Sequence, residues 1–296
     1  MHKSVLLNES IEALALESGE TVVDCTLGAG GHTEEICRRF GGDVKIIALD
    51  LDQDALDRSK HRLTDMGCDV SFKISNFRKI DSVLKEMDIL EVDAFLLDLG
   101  FSSDQIENSG RGFSFQKDEP LIMTLKRDIT DGDITADMII NSWSEETIAN
   151  ILYGYGNEGF SRRIAREIVE TREKNPIKTT TDLVNTIEKA VPSFYKRGRI
   201  HPATKTFQAL RIAVNDELGA LEEFLEVGFK HLRSGGRMAV ISFHSLEDRI
   251  VKNFFKKKKE EKEGLVLTKK PVIPKDDEIK ENPRSRSAKL RIIQKI

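Results

Sequence analysis

The stretch Asp24-Cys25-Thr26-Leu27-Gly28-Ala29-Gly30-Gly31-His32 follows the apolar pair Val22-Val23 and precedes a helix start at Thr33. A glycine-rich turn between a strand and a helix lets a ligand approach the backbone, because no Cβ stands in the way. A second acid, Asp50, closes the next strand pattern, Val44-Lys45-Ile46-Ile47-Ala48-Leu49. Glycines under one end of a nucleoside and a carboxylate on its ribose hydroxyls are the way a doubly wound fold holds such a ligand.

The first hundred residues keep up this alternation. Strand patterns at 21–24, 44–50, 69–74 and 93–98 are separated by helical patterns at 33–40, 53–66 and 78–87, which implies a parallel sheet with crossover helices. Ligands then sit at the carboxyl ends of the strands, and Asp24, Asp50, Phe77 and Asp98 fall at or just beyond those ends. Residues 101–133 are rich in Gly, Ser and Asp without a sustained period, and 135–213 read as helical. There Ser142 with Glu145 matches a capping box. Ser161 is placed to cap a helix whose apolar stripe is Ile164, Ala165, Ile168 and Val169, and Thr181 or Asp182 to start the next. One long helical pattern over 203–232 leads to Gly235-Gly236, a strand at 237–243, a charged helix at 246–263 and a final strand at 288–293. The expected fold is α/β: a Rossmann-like core with a mostly parallel sheet from residues 1–106 and 214–296, carrying an inserted, mostly helical domain at 107–213.

Charge is unevenly spread. The chain has 296 residues and a net charge of −4, which by itself disfavours a nucleic-acid partner. Yet residues 161–211 hold twelve Lys or Arg against five acids, and 282–296 hold five bases and no acid. Two basic segments on an acidic chain imply a directed basic face. Cys25, Cys37 and Cys68 lack Cys-x-x-Cys spacing and read as reduced thiols of a cytoplasmic protein with no zinc site. No run reaches the length of a membrane span, and Asn8 and Glu9 come too early for a signal peptide.

Two nucleoside cofactors compete for the turn. A dinucleotide fingerprint requires a third glycine where Thr33 stands, and a carboxylate at Asp24 would repel a pyrophosphate. S-adenosylmethionine carries an ammonium and a sulfonium, which local acids favour. Asp98, in Asp98-Leu99-Gly100-Phe101-Ser102-Ser103-Asp104-Gln105, is then placed where a methyl acceptor meets the sulfonium, with Ser102, Ser103 and Gln105 orienting cofactor or base. Asp98 acts there as an acceptor for an amine, or else only caps the following turn. His244, at another strand end, either faces the substrate or is a satisfied structural histidine.

Several segments taken together resemble one family from end to end. They are His2 through Glu9, Asp24 through His32, Asp98 through Gln105, Arg111-Gly112-Phe113-Ser114-Phe115, His201 through Arg211, Ile241 through Lys252 and Asn282 through Ala288. The chain resembles the bacterial 16S ribosomal RNA cytosine-N4 methyltransferase family. The resemblance implies a class I methyltransferase core, S-adenosyl-L-methionine as cofactor, a cytoplasmic location, and N4 of a decoding-centre cytidine in the small ribosomal subunit as target. It carries cofactor contacts onto Gly30, Gly31, His32, Asp50, Phe77, Asp98 and Gln105. Phosphate contacts are expected, as a group, from Arg162, Arg163, Lys196, Arg197, Arg199 and Lys205 in the insertion. One stretch departs from the family pattern: Asp118-Glu119-Pro120-Leu121-Ile122-Met123-Thr124-Leu125 has Ile122 and Thr124 where an acid and a base are usual. That departure keeps open a rival reading, a non-catalytic RNA-binding ribosome-assembly factor on the same scaffold. A nicotinamide-dependent oxidoreductase and a methyltransferase for another amine are the remaining rivals, disfavoured by the missing glycine and by the basic segments.

Overall fold

Strands apolar at every position, rather than at every second one, belong in a sheet covered on both faces. The computed structural model, which describes residues 4–100, 109–126, 129–130 and 132–296, builds such a sheet. Its strands are β1 (Thr21–Asp24), β2 (Lys45–Asp50), β3 (Asp69–Ile74), β4 (Val92–Asp98), β5 (Leu232–Ser242), β6 (Gly264–Val266) and β7 (Lys289–Lys295). Their order is β3-β2-β1-β4-β5-β7-β6. The first five run parallel, and β7 is antiparallel to both β5 and β6. The order reverses between β1 and β4, which makes the carboxyl ends of those two strands the switch point where such sheets bind ligands.

Helices α1 (Leu7–Leu14), α2 (Gly31–Phe40), α3 (Gln53–Asp65) and α4 (Ile80–Glu86) accompany the first strands. After β4 come α5 (Ala136–Ser142), α6 (Glu145–Gly156), α7 (Ser161–Arg172), α8 (Thr180–Ala190), α9 (Ser193–Lys196) and α10 (Ala203–Asn215). Helix α11 (Glu217–His231) leads into β5, α12 (Ser245–Glu260) follows it, and α13 (Asp276–Glu281) precedes β7. The chain divides into two compact units, residues 1–102 with 218–296, and residues 103–217. Among the described residues no helix is long and apolar enough to cross a membrane.

In the first unit the period-2 alternation of strands sends neighbours to opposite faces. Val23, Phe95, Leu97 and Val240 meet Leu84 of α4, Leu221 and Phe224 of α11 and Phe255 of α12. Val22, Leu96, Ala239 and Ile241 meet Ile11 and Leu14 of α1 and Ile36 of α2 on the other side. The second unit has its own core, in which Ile139, Ile148, Leu152, Ile164, Ile168, Leu183, Ile187 and Leu210 are buried together.

Local details differ from the sequence expectation where capping chemistry chose a neighbour. Ser144, not Ser142, caps α6 by accepting from Thr147 N–H, since Ser142 is still the last residue of α5. Phe160 occupies the N-cap of α7 with no side-chain bond, and Ser161 is already helical. Thr179 caps α8 in a reciprocal box with Asp182. The long pattern over 203–232 is two helices, because Asp216 is left-handed with φ 47°. Asn215 sustains the break by accepting from Leu125 N–H and donating to the Met123 carbonyl.

The cysteines require a correction. Cys37 on α2 and Cys68 just beyond α3 are joined in a disulfide with Cα atoms 5.7 Å apart, so only Cys25 is a free, buried thiol. The two meet because α2 and α3 pack on one cluster with Leu27, Ala48, Leu56 and Leu63, an adjacency that sequence separation does not reveal.

Phe224 is the hub of the sheet–helix interface. Its ring lies edge-on to Phe95 at 5.4 Å and to Phe77 at 5.6 Å between centroids. Truncation to alanine in F224A is expected to destabilise the protein by about 3–5 kcal/mol, read as a lowered denaturant midpoint at unchanged slope.

Candidate cofactor and catalytic site

The turn after β1 holds Gly28 at φ 52° and Gly30 at φ 77°, backbone that side chains with a Cβ rarely adopt. The glycines serve different ends. A Cβ on Gly30 would meet Ser59 Oγ at 2.8 Å and Arg62 Nη2 at 3.0 Å, and one on Gly31 would run into Ser4. Those two are glycine because protein packs closely there. Gly28 is open, with only the Thr26 carbonyl at 3.9 Å from where a Cβ would stand. Its N–H donates to Asp50 Oδ2 at 2.7 Å, and Asp50 Oδ1 accepts from Asp52 N–H at 2.9 Å. Burial raises the Asp50 carboxyl above its ordinary range against the pull of these bonds. The carboxylate at the end of β2 and the open backbone at the end of β1 are thus joined directly.

Thr33, which stands where a dinucleotide fold would have glycine, has a specific partner. Its hydroxyl donates to Asp24 Oδ2 at 2.6 Å, while Asp24 Oδ1 accepts from Thr26 N–H at 3.2 Å. Asp24 is only 2% exposed, and burial raises its pKa. The acid braces the turn from within, so the argument that its charge repels a pyrophosphate does not hold. Thr26 also accepts, on its hydroxyl, from Asp98 N–H at 2.7 Å, tying the ends of β1 and β4. In the sequence Thr33 marked only a helix start and a missing glycine, and Thr26 had no role. The available signal was a hydroxyl two residues after Asp24 and another nine after it.

His32 is buried at the start of α2, with Nε2 3.1 Å from the Val5 carbonyl. Burial pushes its pKa below the usual value, opposed by the charge of Asp24. A carbonyl can only accept, so the proton is assigned to Nε2, and the Nδ1 lone pair is turned toward Asp98 Oδ2 at 3.8 Å. Asp98 itself keeps 18% of its side chain exposed and takes Gly100 N–H on Oδ1 at 3.1 Å. A Cβ on Gly100 would lie 2.8 Å from the Phe243 ring, so glycine allows that aromatic to close over the end of β4. The resulting site offers two acceptors, Asp98 and neutral His32, beside a glycine turn.

Phe77 opens the short 3-10 turn Phe77–Lys79, where the Asn76 side chain accepts from Arg78 N–H at 2.9 Å. Its ring is half-buried against Phe224. His244 is the N-cap of α12: Nδ1 accepts from Glu247 N–H at 3.4 Å, while Glu247 Oε2 accepts from Phe243 and His244 N–H at 2.7 and 3.1 Å. Its Nε2 lies 2.9 Å from Glu247 Oε1 but outside hydrogen-bonding alignment. The cap accounts for Nδ1 and leaves Nε2 without a hydrogen bond among the described residues. Ser102, Ser103 and Gln105 lie outside the described residues.

In the second unit Arg162 and Arg163 are exposed on α7, and Lys196, Arg197 and Arg199 on and after α9. Lys205 is half-buried and donates to the Asn157 carbonyl at 3.1 Å. The Arg-Gly-Phe-Ser-Phe segment meets the unusual stretch after it. Arg111 Nη1 donates to the carbonyls of Thr124, Leu125 and Lys126 at 3.1–3.2 Å, and Glu119 Oε2 accepts from Gly112 N–H at 2.9 Å. With Thr124 buried, this stretch is held by backbone contacts rather than by an ion pair at 122 and 124. Phe115 stacks on His201 at 4.7 Å and 23°.

The sheet order with its reversed last strand, the open glycine turn and the acids at successive strand ends define a methyltransferase of the Rossmann-like α/β class. The chain belongs to the MraW methylase family, whose profile matches residues 1–296. It is 44% identical over 310 residues to a protein named ribosomal RNA small subunit methyltransferase H from Clostridium botulinum (strain Kyoto / Type A2), covering 100% of this chain and 99% of that one. The same identity over 316 residues and the same coverage relate it to a protein of that name from Paenibacillus sp. (strain JDR-2). Among solved structures, an rRNA methylase from Streptococcus thermophilus aligns over 100% of this chain and 99% of its own with 14% identity and a TM-score of 0.46.

The lowered pKa of His32 has a defined sign. Protonation is disfavoured in the folded state, so stability tied to neutral His32 is complete above the ordinary value of 6.5 and is lost as pH falls through the lower folded value. Nitrogen-15 NMR of the histidine rings is expected to show His32 neutral, as the Nε2–H tautomer, at pH values just below 6.5. A protonated ring there would contradict the assignment.

Proposed function

We propose that the protein transfers a methyl group from S-adenosyl-L-methionine to N4 of a decoding-centre cytidine in 16S ribosomal RNA, acting on the small subunit in the cytoplasm. The observation that carries this reading is Asp98, a partly exposed carboxylate at the end of β4, standing beside the glycine turn and facing neutral His32. Family membership and relatives named for small-subunit ribosomal RNA support it.

The residues fit the cofactor. Gly28 leaves open space, the buried Asp50 carboxylate stands at the adjacent strand end to receive ribose hydroxyls, and Asp98 with His32 Nδ1 supplies acceptors suited to cationic groups. Gly30, Gly31 and Phe77 are assigned to the same site by resemblance, as is Gln105. When bound, S-adenosylmethionine supplies an electrophilic methyl on a positively charged sulfur.

The remaining work falls to the protein. The N4 lone pair of cytosine is delocalised into the ring, so the amine is a weak nucleophile. Asp98 accepts from N4–H, which favours a localised lone pair and stabilises the positive charge that develops on nitrogen. Holding the base in line for attack contributes much of the rest. The base must stand out of its stack to reach a strand end. Arg162, Arg163, Lys196, Arg197, Arg199 and Lys205 neutralise phosphates, so affinity for RNA falls steeply with salt.

The test is methyl transfer from labelled cofactor to small subunits of a strain lacking this modification, followed by nuclease digestion and mass spectrometry. N4-methylcytidine at a single site is the expected product. In D98N, kcat at saturating cofactor is expected to fall roughly 100-fold and cofactor affinity to weaken as well, whereas D50A weakens cofactor binding about tenfold or more with kcat at saturating cofactor largely retained. Cofactor binding without transfer to subunits or to partly assembled RNA would replace this reading with that of an assembly factor.

A further inference from the structure

Helix α9 carries an aromatic ring that the fold does not use. Phe194 is 69% exposed, although burying such a ring is among the larger gains available to a folding chain. Its backing is nonetheless firm. Phe160 lies tilted behind it at 6.2 Å between centroids and 61°, and Phe160 packs on Tyr195 at 4.9 Å. The Tyr195 hydroxyl donates to Glu158 Oε2 at 2.7 Å, and Glu158 Oε1 accepts from Phe160 N–H at 2.8 Å. Glu158 is fully buried, so one interior carboxylate pins the Phe160 ring that Phe194 meets and the Tyr195 ring packed against Phe160.

The surroundings of Phe194 are cationic. The Arg163 guanidinium lies 5.7 Å over the Phe160 ring. Lys196, Arg197 and Arg199 follow Phe194 within five residues, all exposed. From Lys189 to Asn215 the sequence holds six Lys or Arg and no acid. Among the described residues, neither Lys196 nor Arg199 has an acidic partner.

We propose that Phe194 is a stacking platform for an unpaired base of the RNA substrate, with Lys196 and Arg199 on the flanking phosphates. This rests on the RNA methyltransferase reading and adds to it the form of RNA that the insertion selects. A rim of unpaired cations complements a polyanion rather than an apolar protein partner. The ring selects single strands, because a base inside a duplex hides both its faces whereas an unstacked one offers a face to an aromatic side chain.

The test uses the full-length protein and a labelled, roughly 12-nucleotide RNA, single-stranded or annealed to its complement, with affinity read by fluorescence anisotropy over a salt series. F194A is expected to bind the single strand roughly tenfold more weakly at unchanged salt slope, with duplex affinity unaltered, and F194W to restore the loss. R199Q is expected to lower the slope by about 0.7, the value for one phosphate of a single strand. An unchanged melting temperature checks that F194A is folded. If F194A binds the single strand as well as wild type while wild type methylates small subunits, the platform is wrong and the methyltransferase reading stands. Loss of binding to intact subunits with free RNA binding retained would assign the ring to a ribosomal protein surface and also overturn the platform. A wild-type protein that neither binds RNA nor methylates subunits would overturn both readings.

Discussion

The first unit depends on one buried carboxylate. Asp24 accepts from the Thr33 hydroxyl and the Thr26 amide, and Thr26 in turn receives the Asp98 amide. The chain leaving β1, the first turn of α2 and the end of β4 are therefore fastened at a single point. Gly28, which as glycine adopts its left-handed backbone at little cost, can then be left facing open space, because the turn is braced from inside and tied to Asp50. A preorganised site of this kind gains rate by holding acceptors where charge will develop, without reorganising at the moment of reaction.

That arrangement costs stability. Asp24 and Asp50 both have pKa values raised by burial, so the folded state favours their protonated forms. As pH rises from the ordinary carboxylate range of 3.8 toward the raised folded values, each contribution moves against folding. An ion-paired acid does the opposite, as Glu35 does. Bonded to Arg38 and Arg39, it is lowered to about 2, so its support is present above 4.5 and is lost only as pH falls toward about 2. Asp24 bears that cost as the brace beneath the turn and Asp50 as the acid at the open strand end, whereas Glu35 is held by its two arginines.

Much of this was legible in the chain. Strand patterns predicted at 21–24, 44–50, 69–74 and 93–98 meet β1 to β4 to within a residue, because the apolar runs of β1, β2 and β4 and the alternation of β3 leave a strong sequence signal. The glycine turn, Asp50 and Asp98 were found for the same reason: they sit where those patterns stop. What was missed depends on tertiary neighbours. The role of Thr26 appears only when β1 and β4 lie side by side, that of Thr33 only when α2 packs back on the end of β1, and the Cys37–Cys68 pair only when α2 and α3 share a cluster. Asp24 was read as facing a ligand, since nothing in a sequence distinguishes an acid beside a turn from one buried beneath it. His244 was read as either facing the substrate or a structural histidine; the structure uses its Nδ1 as the cap of α12 opposite Glu247, a role that the sequence pattern does not signal because the usual cap residue is Ser or Thr.

The unequal use of buried acids also explains how a chain with a net charge of −4 can address a polyanion. In the first unit, acids at the strand ends are held inward by amide and hydroxyl donors, where they shape a small site rather than an external field. In the second, Glu158 is taken up by Tyr195 and Phe160 in the interior, while Arg162, Lys196 and Arg199 remain at the surface without acidic partners among the described residues. What governs a long-range encounter is the charge left facing solvent within a Debye length, about 8 Å at physiological ionic strength, and not the sum over the chain. Burying a carboxylate behind an aromatic cluster therefore does two things at once: it fixes the rings, and it removes a negative charge from the cationic face proposed to meet phosphate.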